Sequence, residues 1–246
     1  MAIKSALSSK SILITGASRR LGLSSCESFL QKGCKVVAVS RQANAELENL
    51  KLQFQDSFTL IECTEYNQVG AERVISALGA NCADVLINNA SYFVPDGKNI
   101  NEKVAQYQAF FETHMLFPLL LSEWFASVTS EDDDTDRVII NMSDIYAIKP
   151  THERAMYCST KAGLDSLTQS LAAKFAPHVR VNSIQPGPLA FLPEHSESEK
   201  SKVMQQTPLG REGGFEVIVN TFEYVIGNPF LTGTAIKVDG GRSLVR

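Results

Sequence analysis

The chain has 246 residues, 44% of them hydrophobic and 20% charged, with a formal net charge of −4 at pH 7. Those values describe a globular protein with a sizeable core rather than a disordered or membrane-embedded chain, and the acidic balance argues against nucleic acid as the main partner. The five cysteines (Cys26, Cys34, Cys63, Cys82, Cys158) and four histidines (His114, His152, His178, His195) show neither a C-x-x-C pair nor metal-ligand spacing, so we expect a reducing compartment, no disulfide framework and no metal.

The amino-terminal MAIKSALSSKSILITG has no apolar stretch before a cleavage site, and the longest apolar run, MLFPLLL (115–121), is far shorter than the roughly 20 residues that span a bilayer. The expectation is a cytoplasmic protein with no membrane association. Seven β-rich apolar runs then follow in chain order: Ser11–Thr15, Lys35–Val39, Phe58–Glu62, Asp84–Asn88, Arg137–Asn141, Val179–Ile184 and Ala235–Gly240. Because most are apolar at successive residues, they read as strands covered on both faces.

Longer helical patterns separate the strands, among them Leu21–Gly33, which ends on glycine, and Ala155–Pro177, which is stopped by proline. Residues 101–128 are also mostly helical in pattern, with Pro118 expected to kink or break the run. The acidic run 130–136 reads as a solvated loop. The alternation predicts an α/β fold, a single domain over 1–246 built on a Rossmann-type, doubly wound parallel sheet of about seven strands with helices on both faces. Residues 186–207, rich in proline and then weakly helical, read either as a substrate lid around 188–207 or as a surface insertion.

TGASRRLG (15–22) follows the first strand and opens a helix, so its backbone N–H groups and the helix dipole suit a pyrophosphate. The spacing is T-G-x-x-x-G-x-G, with Arg20 where the usual fingerprint has its middle glycine; a tight strand-to-helix turn would also favour Gly16 and Gly22. Arg41 stands directly after the second strand, where NAD-preferring folds commonly offer an acid to the ribose. An arginine there can bond a 2′-phosphate, and with Arg19 nearby it predicts NADPH, unless Arg41 merely solvates a loop.

In Y-C-S-T-K (157–161) the i, i+4 spacing puts Tyr157 and Lys161 on one helical face, roughly 5 to 6 Å apart at Cβ. An adjacent ammonium is expected to lower the tyrosine pKa and fit the pair for proton transfer near neutrality; an ordinary surface pair is the alternative.

TGASRRLG, NNA (88–90), YCSTK, NSIQPG (182–187) and VDGG (238–241) occur in an order that resembles the short-chain dehydrogenase/reductase family across nearly the whole chain. The departures from the general pattern are Asp144 thirteen residues before Tyr157, where most members carry serine, Ser91 in place of a common glycine, and Phe93. An ionised carboxylate accepts hydrogen bonds and donates none, which suits a substrate with donor nitrogens better than a ketone, and a flat ring at Phe93 suits a bicyclic substrate. With Arg20, the PEH stretch (193–195) and the DGGRSLVR tail, these residues are similar to the pteridine reductase and dihydromonapterin reductase branch.

That resemblance implies hydride transfer from NADPH to a C=N bond of a dihydropterin of the dihydromonapterin type, with dihydrofolate as a weaker substrate. Asp144, Tyr157 and Lys161 are then catalytic. Gly16, Ser18, Arg19, Arg20, Leu21, Ser40, Arg41, Asn89, Ala90, Tyr157, Lys161, Pro186 and Gly187 hold the cofactor, and Arg20, Ser91, Phe93, Asp144 and Tyr157 hold the substrate. His114, four residues before Pro118, stands where the family often has an asparagine supporting a water chain to the lysine; it either does the same work or is a satisfied core histidine. The family commonly forms homotetramers. Competing readings are a carbonyl or acyl-chain reductase and a non-catalytic NADPH-sensing protein.

Overall fold

Each of the seven apolar runs forms a strand in the computed structural model, which describes residues 7–79, 83–129 and 135–245. Residues 1–6, Cys82, residues 130–134 of the acidic run and Arg246 lie outside the described residues. The strands are β1 (Ser11–Thr15), β2 (Lys35–Ser40), β3 (Phe58–Glu62), β4 (Val85–Asn88), β5 (Arg137–Met142), β6 (Val179–Pro186) and β7 (Ala235–Val238). They form one parallel sheet in the order β3-β2-β1-β4-β5-β6-β7. β7 stops two residues earlier than its apolar pattern predicts. The Asp239 carboxylate accepts the Gly241 and Ser243 amides at 2.9 and 2.8 Å and turns the chain away.

The helices are α1 (Arg20–Gln31), α2 (Ala45–Gln53), α3 (Gln68–Leu78), α4 (Ile100–Phe111), α5 (Phe117–Ser127), α6 (Ala155–Phe175), α7 (Glu197–Gln205) and α8 (Glu216–Ile226). Alternate strand residues point to opposite sides of the sheet. Thus Ile12 and Ile14 pack with Phe29 of α1, Leu47 of α2 and Phe222 of α8, whereas Leu13 between them packs with Val74 of α3, Phe125 of α5 and Phe175 of α6. Two apolar layers on one sheet are what runs without a polar face require.

Pro118 does not break the helical run that contains it. Proline offers no N–H to the carbonyl four residues back, and the chain absorbs the mismatch by widening into a π turn over Glu112–Leu116, where the Phe117 amide reaches the Glu112 carbonyl before α5 continues. Residues 187–196 after β6 are irregular, and α7 beyond them buries none of its residues.

Arg180 of β6 ties the sheet to the end of α8. Its guanidinium forms a two-pronged pair with Asp136 at 2.8 and 3.0 Å and donates to the carbonyls of Val225, Ile226 and Leu231. Arg180→Ala strands these acceptors, and we expect it to cost about 3 kcal/mol of unfolding free energy. Lys174→Ala, at the exposed Lys174–Glu123 pair, should cost no more than about 0.5 kcal/mol. Urea denaturation of both variants checks the contrast, and equal losses would refute it.

Candidate active site

β1 and β4 are hydrogen-bonded neighbours whose following loops part at the carboxyl edge of the sheet. Thr15 stitches them there. Its Oγ1 accepts the amides of Asn89 and Ala90 at 3.0 Å each, and Asn89 Nδ2 donates back to the carbonyls of Thr15 (2.9 Å) and Gly16 (3.2 Å). The contact is close enough to demand glycine: a Cβ on Gly16, where φ is +71°, would stand 2.8 Å from Ala90 Cα, and one on Gly22 would stand 2.2 Å from the Gly16 carbonyl oxygen. Arg20 occupies the middle-glycine position with φ +52°, a left-handed backbone that costs a non-glycine residue about 1 kcal/mol.

α2, α3, α4 and α7 are capped by the side chains of Asn44, Asn67, Asn99 and Ser196. α1 has Arg19 at its N-cap and no side-chain cap, so its first amides remain available to an acceptor in the cleft. Ser18, Arg19 and Leu21 line this part of the cleft with Arg41 and Asn89, and a basin beyond β2 is walled by Ser18, Arg19, Arg41 and Asn44. Among the described residues neither Arg19 nor Arg41 has an ion-pair partner.

Three expected cofactor residues are otherwise engaged. Ser40 Oγ donates to the Gln42 carbonyl at 2.8 Å, which turns it into its own loop. The Gly187 amide donates to the Val238 carbonyl at 3.0 Å and belongs to the sheet, although Pro186 and Gly187 both line the cleft. Arg20 lines both the phosphate loop and the larger cavity, and its guanidinium is engaged on the cavity side. Nη2 donates to the Ala190 carbonyl at 2.5 Å, and the guanidinium lies 5.4 Å from the Phe215 ring centre.

Asp144 leads a short 3-10 turn, Ile145–Ala147, after β5. Its Oδ1 accepts the Tyr146 amide at 2.8 Å and its Oδ2 accepts the Tyr157 hydroxyl at 2.9 Å. Ser143, one residue away, is buried and donates to the Lys161 carbonyl instead, so the aspartate is the group that faces the tyrosine. On α6, Lys161 donates from Nζ to the Met142 carbonyl at 2.7 Å, with that nitrogen 5.7 Å from the Tyr157 ring centre.

The charges in this space differ from the expectation that Lys161 lowers the tyrosine. Burial and then the Asp144 carboxylate push Tyr157 well above the ordinary phenol range. Burial also raises Asp144, opposed by the Tyr146 amide and by Lys161. Lys161 is lowered to about 8 by burial, opposed by Asp144 and by Asp165. Asp165 sits one turn along α6, its carboxylate accepting from Ser183 Oγ at 2.7 Å and Gln185 Nε2 at 2.6 Å. The buried tyrosine therefore keeps its proton near neutrality, because nothing beside its oxygen outweighs an adjacent carboxylate.

His114 is buried with both ring nitrogens engaged. Nε2 accepts the Tyr92 amide at 3.1 Å, which leaves the proton on Nδ1 to donate to Thr160 Oγ1 at 2.9 Å; that hydroxyl in turn donates to the Tyr157 carbonyl. Burial, reinforced by Lys161, holds the ring well below its ordinary pKa and so neutral. The His114 ring nitrogens are thus satisfied by protein partners. Ser91 Oγ lies 3.3 Å from its Nε2 and also meets the Tyr157 hydroxyl.

Phe93 is 43% exposed at the mouth of the cleft, with the Arg154 guanidinium 4.1 Å from its ring centre and Tyr157 edge-on at 4.9 Å. It opens on a cavity of about 320 Å³ reaching from Asp144 and Tyr157 to Phe191, His195, Phe215 and Arg242. The last four were not named from sequence as site residues: Phe215 lies outside any motif, Phe191 and His195 fall in the expected lid, and Arg242 enters only as one letter of the DGGRSLVR tail. Among the described residues no His, Cys, Asp or Glu group could hold a metal, and no helix is long and apolar enough to cross a membrane.

The family model for short chain dehydrogenase matches residues 10–202. Dihydromonapterin reductase of Enterobacter sp. (strain 638) is 27% identical, with 95% of this chain and 96% of that protein covered. L-xylulose reductase of Bos taurus is 28% identical, with 96% and 97% covered. Among solved structures, FolM alternative dihydrofolate reductase 1 from Brucella canis, complexed with NADP, superposes with a TM-score of 0.86 at 25% identity, covering 98% of this chain and 96% of that one. With the parallel seven-stranded sheet, the stitched glycine loop and the Tyr157–Lys161 pair behind a shared cleft, the chain belongs to the short chain dehydrogenase family of oxidoreductases.

Proposed function

We propose that the protein is an NADPH-dependent pteridine reductase that converts a dihydropterin of the dihydromonapterin type to its tetrahydro form, with dihydrofolate a weaker substrate. The observation that carries this reading is the 2.9 Å hydrogen bond from the Tyr157 hydroxyl to Asp144. A carboxylate beside the proton donor offers acceptors to ring N–H and amino groups, which a ketone lacks. The dihydromonapterin reductase and the NADP-bound FolM protein among the relatives support the same reading. L-xylulose reductase, equally similar, supports the rival carbonyl reduction, against which Asp144 stands.

The residues fit a phosphorylated dinucleotide. Gly16 and Gly22 leave a cradle that a Cβ would fill, α1 presents uncapped amides, and Arg19 and Arg41 offer unpaired cations for a 2′-phosphate. When bound, NADPH supplies the hydride. Tyr157 holds its proton under the influence of burial and Asp144 and delivers it from Oη to the ring nitrogen next to the reduced carbon. Asp144 anchors the donor nitrogens of the heterocycle, and Lys161 provides the cation that stabilises the phenolate left behind. Phe93 offers a flat face to a flat ring.

Residues 188–207 act as the lid of this single reductase domain. The exposed apolar residues Ile100, Val104, Tyr107 and Phe111 along α4 suit burial in a homotetramer, and the cytoplasm is the setting we assign.

Asp144→Ser is expected to reduce dihydropterin turnover by about 100-fold or more, read as NADPH oxidation with a dihydropterin and with a panel of ketones; ketone turnover without pterin turnover in the unaltered enzyme would refute the assignment. Arg41→Asp should lower the NADPH to NADH preference by at least about tenfold, and an unchanged ratio would remove Arg41 from the cofactor site. Lys161 loses its charge as pH rises through about 8, so kcat/KM for NADPH, which reports the free enzyme, should fall on that alkaline limb. Asp165→Asn removes a charge that raises Lys161 and should move the limb to lower pH; a limb that stays in place would contradict this.

A further inference from the structure

The carboxyl-terminal turn is built to hold one side chain over the cleft. Asp239 ties down the Gly241 and Ser243 amides, and Lys149 Nζ donates to the carbonyls of Arg242 (3.0 Å) and Val245. Between these anchors Arg242 leans into the cavity it shares with Asp144 and Tyr157. Its Nη1 donates to the Val203 carbonyl in the last turn of α7 at 2.8 Å, where a cation is favourable to the helix dipole. Its Nε and Nη2 have no acceptor among the described residues, and no carboxylate pairs with it there.

A latch for α7 needs one N–H of the five that a guanidinium carries. The rest of the fork is open to the cavity, whose other walls include the rings of Phe191, His195 and Phe215. Arg20, the second cation there, is committed to the Ala190 carbonyl and the Phe215 ring. Asp144 and Tyr157 select donor nitrogens, so a ligand's substituent is left to the remaining walls, Arg242 among them. Asp144 across the cavity feels the charge of this guanidinium without pairing with it, and a planar fork with no ion-pair partner matches a carboxylate or a phosphate.

We propose that Arg242 is a specificity-determining residue that pairs with an anionic group on the tail of the substrate while it holds the lid helix through Val203. The assignment rests on the dihydropterin reading. The anion has two chemical sources, a carboxylate carried beyond an aromatic spacer or a phosphate ester on a short side chain.

Calorimetric titration of the NADP-loaded enzyme with folate, with the phosphate ester of 6-hydroxymethylpterin and with 6-hydroxymethylpterin itself separates these. We expect at least one anionic ligand to bind about tenfold more tightly than the uncharged one. Arg242→Met should erase that ratio and Arg242→Lys should keep part of it. Loss with folate alone assigns the carboxylate, and loss with the ester alone the phosphate. A ratio that is absent in the unaltered enzyme, or that survives in Arg242→Met, overturns the assignment of Arg242 while leaving pterin binding intact. Failure of all three ligands to bind the unaltered enzyme overturns the dihydropterin reading and this inference together.

Discussion

Where β1 and β4 separate, the chain must bring two backbones within van der Waals contact and still leave polar groups facing outward. The Thr15 hydroxyl makes this work by accepting two amides from the β4 loop, while Asn89 returns its own amide to the β1 loop. Everything at the carboxyl edge takes its position from that contact. It sets the path of the glycine loop, hence the start of α1 and the place of Arg19, and on the other side it fixes the segment that carries Ser91 and Phe93. In a sheet wound in both directions from one strand, this is the natural crevice for a ligand.

The second organising element is a buried collection of acid, phenol and amine whose protonation states depend on one another. Burial raises Asp144 and Tyr157 and lowers Lys161, so each group is moved toward its neutral form, and the acids on either side restore part of the lysine's charge. His114 is neutral and doubly bonded, and it braces the Tyr92 amide against α6 without adding charge. A cluster of this kind is a proton donor at rest.

Much of this was legible beforehand because the signals were local. Apolar runs without alternation mark strands covered on both sides, and seven of them became the seven strands. The i, i+4 spacing of Tyr157 and Lys161 placed them on one face, and Arg20 was recognisable as a non-glycine in the middle-glycine position; that this position takes a left-handed backbone, with φ of +52°, is a finding of the structure. What escaped was tertiary. The spacing of Tyr157 from Lys161 says nothing of how deeply the phenol is buried or of the Asp144 carboxylate that meets its oxygen, and these two together raise the tyrosine where the spacing predicts a lowering. Pro118 was treated by its backbone alone, whereas the surrounding helical run had slack enough for a wider turn. Arg242 and Phe215 reach the cavity from separate elements brought together by the last βα unit and the terminal turn, and no spacing rule connects them.

The uncapped start of α1 has a thermodynamic meaning beyond recognition. Asparagine and serine side chains satisfy the opening turns of α2, α3, α4 and α7, whereas α1, uncapped like α5, α6 and α8, opens on the cleft and leaves that satisfaction to solvent or to a guest. A guest that bonds to those amides engages them only in the native chain, so occupancy feeds directly into the unfolding equilibrium by mass action. The resistance of this molecule to heat and proteolysis is therefore set partly by how much dinucleotide surrounds it, which makes the nucleotide pool a determinant of the protein's lifetime as well as of its turnover.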